Sequence, residues 1–538
     1  MRAFRLAIPL LLSATLLGED APKLVTGLGP VHHPTSTKCT EAQEWFDQGL
    51  AYCYAFNHQE AVRSFKKAVE CDTEFALAWW GVGLALGPNI NMDVDPASEK
   101  AAFEATQKAV ALMGKASPAE RDYVQALAKR YSGDPKADLK QLARAYKEAM
   151  GALARRHPDD LDAATLYAES AMDLNPWKLW DKEGRPTAGT EEIVTVLEGV
   201  LKRNPEHVGA NHYYIHTVEA SSHPERALPS AERLRTLAPA AGHLVHMPSH
   251  IFIRTGDYRA AIAANEAGAA SDRAYMAEGG GGMYVAMYYS HNLHFLTVAA
   301  TWAGREKVAM DSTRTLDEHI ELVLKQMPDM QGMIEPFLTT TTFVRMRFHR
   351  WDELLTATQP PEDRPVTRAV WRFGRAAALA AKGQGVKAEA ELVSFRALAK
   401  AVPKEVTMGL NPASAMLGIA ELSLEARCAE ARGDFKTAIA SLRKAADAED
   451  ALDYDEPRIW ILSSREALGT LLLRTGNAAG AERAYRDDLL RNPRSGRALF
   501  GLRESLRAQG NKAAVRFVDQ ELQAAWTGAD NELTAKDL

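Results

Sequence analysis

Residues 43–72 read QEWFDQGLAYCYAFNHQEAVRSFKKAVECD, and this stretch contains the unit that recurs along the chain. Its pattern predicts two helices joined at Asn57, with the small residue Gly49 midway along the first helix. Ala61, Phe65 and Ala68 follow at helical spacing, so they form one stripe on the second helix. A small residue in the first helix lets the second pack close to it. The stretch therefore predicts a tightly packed antiparallel helix hairpin.

The same layout recurs near the other end of the chain. Arg474-Thr475-Gly476 ends a first helix there, and Asn492-Pro493 ends the second. This copy of the unit is marked by Gly469, Gly476, Ala481, Tyr485 and Pro493. A copy just before it is marked by Gly433, Phe435, Ala438, Leu442 and Ala445. A copy in the middle of the chain is marked by Ser249, Gly256, Tyr258 and Ala261.

These residues resemble the tetratricopeptide repeat (TPR), a helix–turn–helix unit of about 34 residues. The resemblance is strong over 40–90, 205–272 and 415–525, whereas 101–180 and 310–400 are helical without the consensus small residues. It implies an all-α fold, a right-handed TPR superhelical solenoid of antiparallel helix pairs whose first helices line a concave groove. The degenerate segment that ends at Trp526 is expected to cap the array.

Length and composition agree with a repeat array. A chain of 538 residues is too long for one ordinary domain unless it grows by repetition. A formal net charge of -6 favours neither nucleic acid nor an acidic membrane surface as a partner. The expected segments are a signal peptide (1–20), an N-terminal region with the first TPR (21–100), degenerate helical repeats (101–204), central histidine-rich TPRs (205–310), degenerate helical repeats (311–414), and C-terminal TPRs with a capping helix (415–538).

The first residues predict export. Arg2 and Arg5 precede an apolar run, Leu6 to Leu17, that has the length of a signal-peptide core and is too short to span a bilayer. The alternative is a buried first helix. Cleavage near residues 18–21 would give a periplasmic or secreted protein, with no transmembrane segment in the mature chain. Export would let Cys39 and Cys71, at adjoining ends of the first hairpin, form a disulfide; free buried thiols are the alternative.

The chain also resembles a group of large exported bacterial TPR proteins with a histidine-rich central block and unassigned chemistry. The stretches that carry this resemblance are Phe46-Asp47-Gln48-Gly49 with Phe56-Asn57-His58, Leu86-Gly87-Pro88-Asn89-Ile90-Asn91, and the central histidine block. The resemblance implies no particular reaction.

Eight of the 15 histidines fall between residues 212 and 294, and their spacing follows the repeat. His212 and His246 are 34 residues apart, and so are His216 and His250. The turn glycines Gly256 and Gly304 show that the other histidines also occupy equivalent repeat positions. His243 and His291 lie 13 residues before these glycines, and His246 and His294 lie ten residues before them. Within each helix, offsets of three, four and seven put the histidines on one face.

This register predicts a transition-metal site, because imidazoles at i and i+4, with a third from a neighbouring helix, suit zinc, copper or iron. Seven ligands are predicted, enough for one site with surrounding histidines or for two adjacent sites: His212, His216, His243, His246, His250, His291 and His294. Glu219 is the candidate catalytic residue, as a ligand, an orienting carboxylate or a general base. Pro248 is expected to bend its helix. His32 and His33 are candidate extra ligands, whereas His58 and His223 are interpreted as structural turn residues.

Two functions remain open from sequence alone. A metal centre could hold an ion or use it, in hydrolysis with Glu219 or in oxidation with two three-histidine sets. The alternative is a metal-independent protein–protein interaction scaffold in the cell envelope. In that case the concave groove would bind a peptide or protein, and tyrosines such as Tyr213 and Tyr284 would add aromatic contact surface.

Overall fold

A computed structural model describes residues 22–537 and confirms the all-α fold class. The predicted signal peptide, 1–20, lies outside the described residues. Antiparallel helix pairs of tetratricopeptide type follow one another along the chain, and helices that are neighbours in sequence pack against each other within each unit. Among the described residues, no helix combines the length and the apolar character needed to cross a membrane.

The chain divides into two compact units. Unit 1 comprises 22–251 and Glu266–Tyr289, and unit 2 comprises Phe252–Asn265 and 290–537. The division falls inside the segment 205–310, so the predicted central region contributes residues to both units.

Unit 1 contains the helices up to the central histidines. They are α1 (Thr40–Tyr54), α2 (His58–Cys71), α3 (Ala76–Ala85), α4 (Pro96–Leu112), α5 (Pro118–Leu127), α6 (Leu139–Arg156), α7 (Leu161–Met172), α8 (Thr190–Arg203), α9 (Val208–Val218), α10 (Leu228–Leu237), α11 (Gly242–His246) and α14 (Gly282–Tyr284). Short 3-10 turns occupy Met113–Lys115 and Pro224–Ala227, and Val285–Tyr289 is a π-helix. Two helices run across the division, α12 (Pro248–Thr255) and α13 (Tyr258–Ala277).

Unit 2 continues the helix pairs. Its helices are α15 (Ser290–Trp302), α16 (Glu306–Gln326), α17 (Gln331–Ile334), α18 (Thr340–Arg347), α19 (Trp351–Thr356), α20 (Pro365–Ala381), α21 (Gly385–Ala401), α22 (Ala413–Ala431), α23 (Phe435–Asp450), α24 (Ser464–Arg474), α25 (Ala478–Arg491), α26 (Gly496–Ala508) and α27 (Lys512–Ala525). The 3-10 turns here are Pro328–Met330, Glu335–Thr339 and Ala535–Asp537, and β1 (Thr407–Met408) pairs antiparallel with β2 (Asn411–Pro412).

An aromatic ring wedged between two glycines holds successive helices together. The ring of Phe65 on α2 is fully buried, and a Cβ added at Gly49 or Gly81 would lie 2.7 or 2.5 Å from it. Tyr485 on α25 repeats this arrangement, since Cβ atoms at Gly469 and Gly501 would lie 2.8 and 2.1 Å from its ring. Any side chain at these glycines would push the helices apart, so the close spacing of the array depends on them.

Side-chain caps and left-handed residues make the turns inside the hairpins. Asn57 and Asn477 accept a hydrogen bond from the backbone N–H three residues on, which starts the second helix at the predicted place. Gly476 ends the first helix of its hairpin with φ 84°, a conformation that glycine adopts without strain. In the first hairpin the corresponding residue is Phe56, with φ 55°. A left-handed conformation costs a non-glycine residue about 1–2 kcal/mol.

The connecting segments, the cysteines and the C-terminal cap can be compared directly with the sequence. The segments around Asn175-Pro176-Trp177 and Gln359-Pro360-Pro361 are non-helical, and Gly279 to Gly281 connect α13 to α14. All four cysteines are free thiols, so the Cys39–Cys71 disulfide is not formed. The expected cap is α27, and its neighbour Trp526 packs against Gly304 and Gly496 in unit 2.

Substituting Gly81 with alanine tests the wedged ring. The added methyl group would overlap the ring of Phe65, so we expect Gly81→Ala to lower the free energy of unfolding by about 1–3 kcal/mol. The control is Gly199→Ala in α8, where a Cβ meets nothing within 4 Å. That change should stabilise the chain by roughly 0.5–1 kcal/mol, since alanine is the better helix former. Equal unfolding midpoints in urea for the two variants would contradict the packing argument.

Candidate metal centre

Five of the seven predicted ligands come together inside unit 1. His212 and His216 lie on α9, His243 and His246 on α11, and His250 on α12. None of the five is more than 4% exposed. The helix that carries the last three is interrupted at Met247, because Pro248 lacks the N–H that would continue the hydrogen-bond ladder. This is the local break expected at Pro248, and the five residues are called the imidazole cluster below.

Hydrogen bonds at Nδ1, the nitrogen on the outside of the cluster, fix the orientation of three of these rings. The Nδ1 of His212 lies 2.7 Å from the backbone oxygen of Tyr54, which can only accept, so His212 donates. Both oxygens of the buried Glu219 carboxylate are used in the same way, at 2.8 Å from the Nδ1 of His216 and 2.6 Å from that of His250. A neutral imidazole that donates through Nδ1 carries its lone pair on Nε2. These partners therefore turn three lone pairs toward the interior of the cluster.

The inner nitrogens lie close to one another. The Nε2 atoms of His212 and His243 are 3.1 Å apart, and those of His246 and His250 are 2.8 Å apart. Ligand atoms of His212, His216 and His243 all lie within 4.8 Å of one another, a spacing that could hold a metal ion. The Nδ1 of His243 is buried and has no hydrogen-bond partner in the described part of the chain. An orphaned buried nitrogen of this kind is itself a potential metal ligand.

Aromatic side chains cover the cluster. The ring of Phe56 is 4.5 Å from that of His212, and it stacks on His216 at 5.8 Å and on His243 at 5.6 Å. Tyr288, from the π-helix, lies 4.4 Å from the ring of His243. The histidines are thus buried under aromatic rings, whereas the sequence placed them on the wall of an open groove. The left-handed turn at Phe56 is what brings its ring over them.

Burial also determines the charge of these rings. Burial lowers the pKa of His212 well below its usual value, and the neighbouring His216 lowers it further. The pKa of His243 falls for the same reasons, with His212 as the largest of its neighbours' contributions. Both imidazoles are therefore neutral near pH 7, which is the form that binds metal.

The other two predicted ligands, His291 and His294, belong to unit 2. Their rings pack against Phe295 and Phe337, and burial lowers the pKa of His294 to about 4. Their role as ligands stays a prediction. Two histidines interpreted as turn residues are found outside the cluster: His223 is exposed beside Glu225, and His58 is buried beside Asn89.

A second polar cluster in unit 1 was not predicted. The carboxylate of Asp162 contacts His33 at 2.9 Å, His207 at 3.2 Å and the hydroxyl of Tyr54 at 2.5 Å. It borders a cavity of about 460 Å³ that His33, Asp160 and His207 also line. His33 is therefore held here and not at the imidazole cluster, and His32 pairs with Asp47. The one sequence signal was the capping pattern around Asp160 at the start of α7, since the partners of Asp162 lie far away in the chain.

Comparisons with known proteins add little to this geometry. No protein-family model and no curated protein matches the chain. Similar solved structures include a human IFIT1 dimer with m7Gppp-AAAA, which has 14% identity, 91% of each chain covered and a TM-score of 0.32. The P58(IPK) TPR domain has 12% identity over 88% of this chain and 99% of its own, with a TM-score of 0.23. Yeast Tom70 has 13% identity over 91% and 98%, with a TM-score of 0.30. These TM-scores are too low to carry an argument, so the fold assignment rests on the hairpins themselves.

The contact between His33 and Asp162 predicts a pH-dependent stability. Burial alone would lower the pKa of His33, but the hydrogen bond and charge of Asp162 outweigh it and raise the pKa above 6.5. Burial would raise the pKa of Asp162, yet its bonds to His207 and His33 bring it below 3.8. Stability from the raised histidine is complete below pH 6.5 and is lost as pH rises through its folded pKa. Stability from the depressed aspartate is complete above pH 3.8 and is lost as pH falls through its folded pKa.

We therefore expect Asp162→Asn to lower the free energy of unfolding by about 1–3 kcal/mol near pH 5.5, and by less near pH 8.5. Urea unfolding of the full chain at the two pH values measures the difference. His32→Gln is the matched control, because it removes an exposed histidine–aspartate pair. A deficit in Asp162→Asn that does not shrink at the higher pH would exclude a charged pair.

Proposed function

We propose that this protein binds a transition-metal ion in unit 1, through the imidazoles of His212, His216 and His243. The observation that carries the proposal is the arrangement of both nitrogens of these rings. Hydrogen bonds from Nδ1 hold His212 and His216, and ligand atoms of all three residues lie within 4.8 Å of one another. Metal-binding histidines usually have their second nitrogen held by a carbonyl or carboxylate, which fixes the tautomer and the ring orientation.

The donor set restricts the metal. Neutral imidazoles suit zinc, copper or iron, whereas magnesium and calcium prefer carboxylate, carbonyl and water oxygens. When bound, such an ion supplies Lewis-acid or redox chemistry. Burial under Phe56 and Tyr288 would keep bulk water away from it. We propose binding of a single kind of ion that is zinc, copper or iron.

Glu219 supports this reading as an orienting carboxylate. Both of its oxygens are engaged with Nδ1 atoms, of His216 and of His250. A general base would need one oxygen directed at a substrate or a water, and so would have to release one ring. We therefore infer that Glu219 positions the ligands. Its predicted role in hydrolysis, like the oxidative alternative, stays a prediction, and so does export through residues 1–20.

A second candidate function, the binding of an acidic peptide, is favoured by a groove in unit 2. The cavity there measures about 510 Å³. Of the arginines around it, Arg347 and Arg474 pair with Glu466 and Glu430. Burial lowers the pKa of Arg427, and the charge of the nearby Glu430 offsets this effect only in part.

The chain's own C-terminal residues occupy part of this groove. Asp537 lines it, with a carboxylate oxygen 3.7 Å from the guanidinium of Arg497. An acidic side chain is thus already accommodated there. This observation, together with Arg427, indicates the charge that a partner's peptide would carry.

Elemental analysis tests the metal proposal directly. Mature protein prepared without a histidine tag should contain zinc, copper or iron at close to one ion per chain or more. The double variant His212→Ala/His243→Ala should lose the ion held by these residues, and Glu219→Gln should weaken its binding by about 10–100-fold. His223→Ala, an exposed histidine outside the cluster, is the control and should retain the wild-type content. Absence of metal from the wild type, even after incubation with each ion, would overturn the proposal.

Fluorescence anisotropy with a labelled glutamate-rich peptide tests the groove. We expect Arg427→Ala to weaken binding by roughly tenfold, about 1.4 kcal/mol, and added salt to weaken it in the wild type. Removal of residues 535–538 should strengthen binding, because Asp537 would no longer compete. The control is Arg443→Ala, an exposed arginine on α23 that does not line the cavity. Binding that ignores Arg427 would contradict this candidate function.

A further inference from the structure

We propose that the imidazole cluster holds two neighbouring metal ions, the first at His212, His216 and His243 and the second between His246 and His250. The inference rests on the proposed function, because a second ion is meaningful only if the first set of rings binds metal. It goes further by assigning a separate site to the two remaining histidines of the cluster.

One ion cannot use all five rings. Bonds from zinc to imidazole nitrogen are about 2.0–2.1 Å long, so two nitrogens on one ion are at most about 4.2 Å apart. The ligand atoms of His212, His216 and His243 group within 4.8 Å, so a movement of about 0.6 Å at most would bring them within that limit. His246 and His250 fall outside this group. The two outer histidines are therefore either a second site or a purely structural pair.

The distance between them fits a second site. Two bonds of about 2.05 Å that meet at 90–110° place their nitrogens about 2.9–3.4 Å apart. The Nε2 atoms of His246 and His250 are 2.8 Å apart, and those of His212 and His243 in the first set are 3.1 Å apart. The His212–His243 distance lies within this range, and the His246–His250 distance is only about 0.1 Å below it. The same spacing occurs twice, once in each set.

The hydrogen bonds around His246 and His250 show which of their nitrogens carry protons. His250 donates through Nδ1 to Glu219, so its Nε2 accepts, and the Nε2 of His246 must supply the proton between the two rings. The hydroxyl of Ser249, 3.3 Å from the Nδ1 of His246, can donate to the nitrogen that then carries the lone pair. With a divalent ion bound at both Nε2 atoms, the proton of His246 would move to its Nδ1, where the hydroxyl of Ser249 would accept its hydrogen bond. Both rings would stay neutral and keep their positions, and no proton would be released.

Glu219 connects the two sites. One oxygen holds His216 from the first set and the other holds His250 from the second. The rings of these two histidines are 5.6 Å apart, and those of His243 and His246 are 5.8 Å apart, so the two sets are direct neighbours. A change at Glu219 should consequently affect both ions, whereas a change at His246 or His250 should affect only the second. With two imidazoles from unit 1, the second ion should be the more weakly held.

Metal titration of the full chain, stripped of metal and free of any tag, tests the inference. Zinc binding is followed by calorimetry and by elemental analysis after gel filtration, and cobalt(II) is used as a visible-absorption probe. We expect two ions per wild-type chain. His246→Ala/His250→Ala should bind one, His212→Ala/His243→Ala should lose the tighter one, and Glu219→Gln should weaken both by about 10–100-fold.

The outcomes separate the two proposals. One ion in the wild type that is lost in His212→Ala/His243→Ala would overturn the second site and leave the proposed function intact. No ion in the wild type would overturn both. Two ions that persist in His246→Ala/His250→Ala would mean that the second site lies elsewhere, which also overturns the inference. Circular dichroism checks folding, and if the alanine variant does not fold, His246→Gln/His250→Gln keeps side chains of similar size and gives the same readout.

Discussion

The contact between an aromatic ring and the glycines that flank it sets the spacing on which the other features depend. Phe65 fits between α1 and α3 only because Gly49 and Gly81 have no side chains. Tyr54 makes the same kind of contact with Gly209, where a Cβ would lie 2.4 Å from its ring. That second contact brings the end of α1 against α9, so that the backbone oxygen of Tyr54 reaches His212. The imidazole cluster is thus positioned by packing that begins outside it.

The repeat makes much of this fold predictable from sequence, because each hairpin is built from local signals. Asn57 as a cap, Phe65 as a buried ring and the 34-residue spacing of His212 and His246 follow from residues close in the chain. The spacing therefore predicted which helices carry histidines and which rings share a face. It could not give the division into two units, in which His291 and His294 belong to unit 2 and the other five to unit 1, since that division depends on packing between residues far apart in the chain.

The contacts that give the centre its chemistry are long-range, and the sequence does not encode them in any local pattern. Glu219 and His250 are 31 residues apart, and His33 and Asp162 are 129 apart. The cover over the cluster depends on a left-handed turn at Phe56 and on the π-helix that carries Tyr288, and neither has a recognisable sequence signature. Strained turns and π-helices often occur at functional sites, where surrounding packing can support them. Local sequence patterns therefore predict the residue types of the candidate site, whereas tertiary packing determines their orientation and burial.

The ring of Phe56 has a consequence for how the protein would acquire its metal. An ion beneath a buried aromatic cover leaves only when the surrounding helices open, and such local opening is slow compared with diffusion. Exchange with metal in the surroundings would therefore be limited by the protein's own motion. On the proposed function, the ion held by the chain reflects the metal supply of the compartment in which it folds more than the equilibrium preference of its histidines. If the chain folds after export, the metals available outside the cytoplasm make that choice.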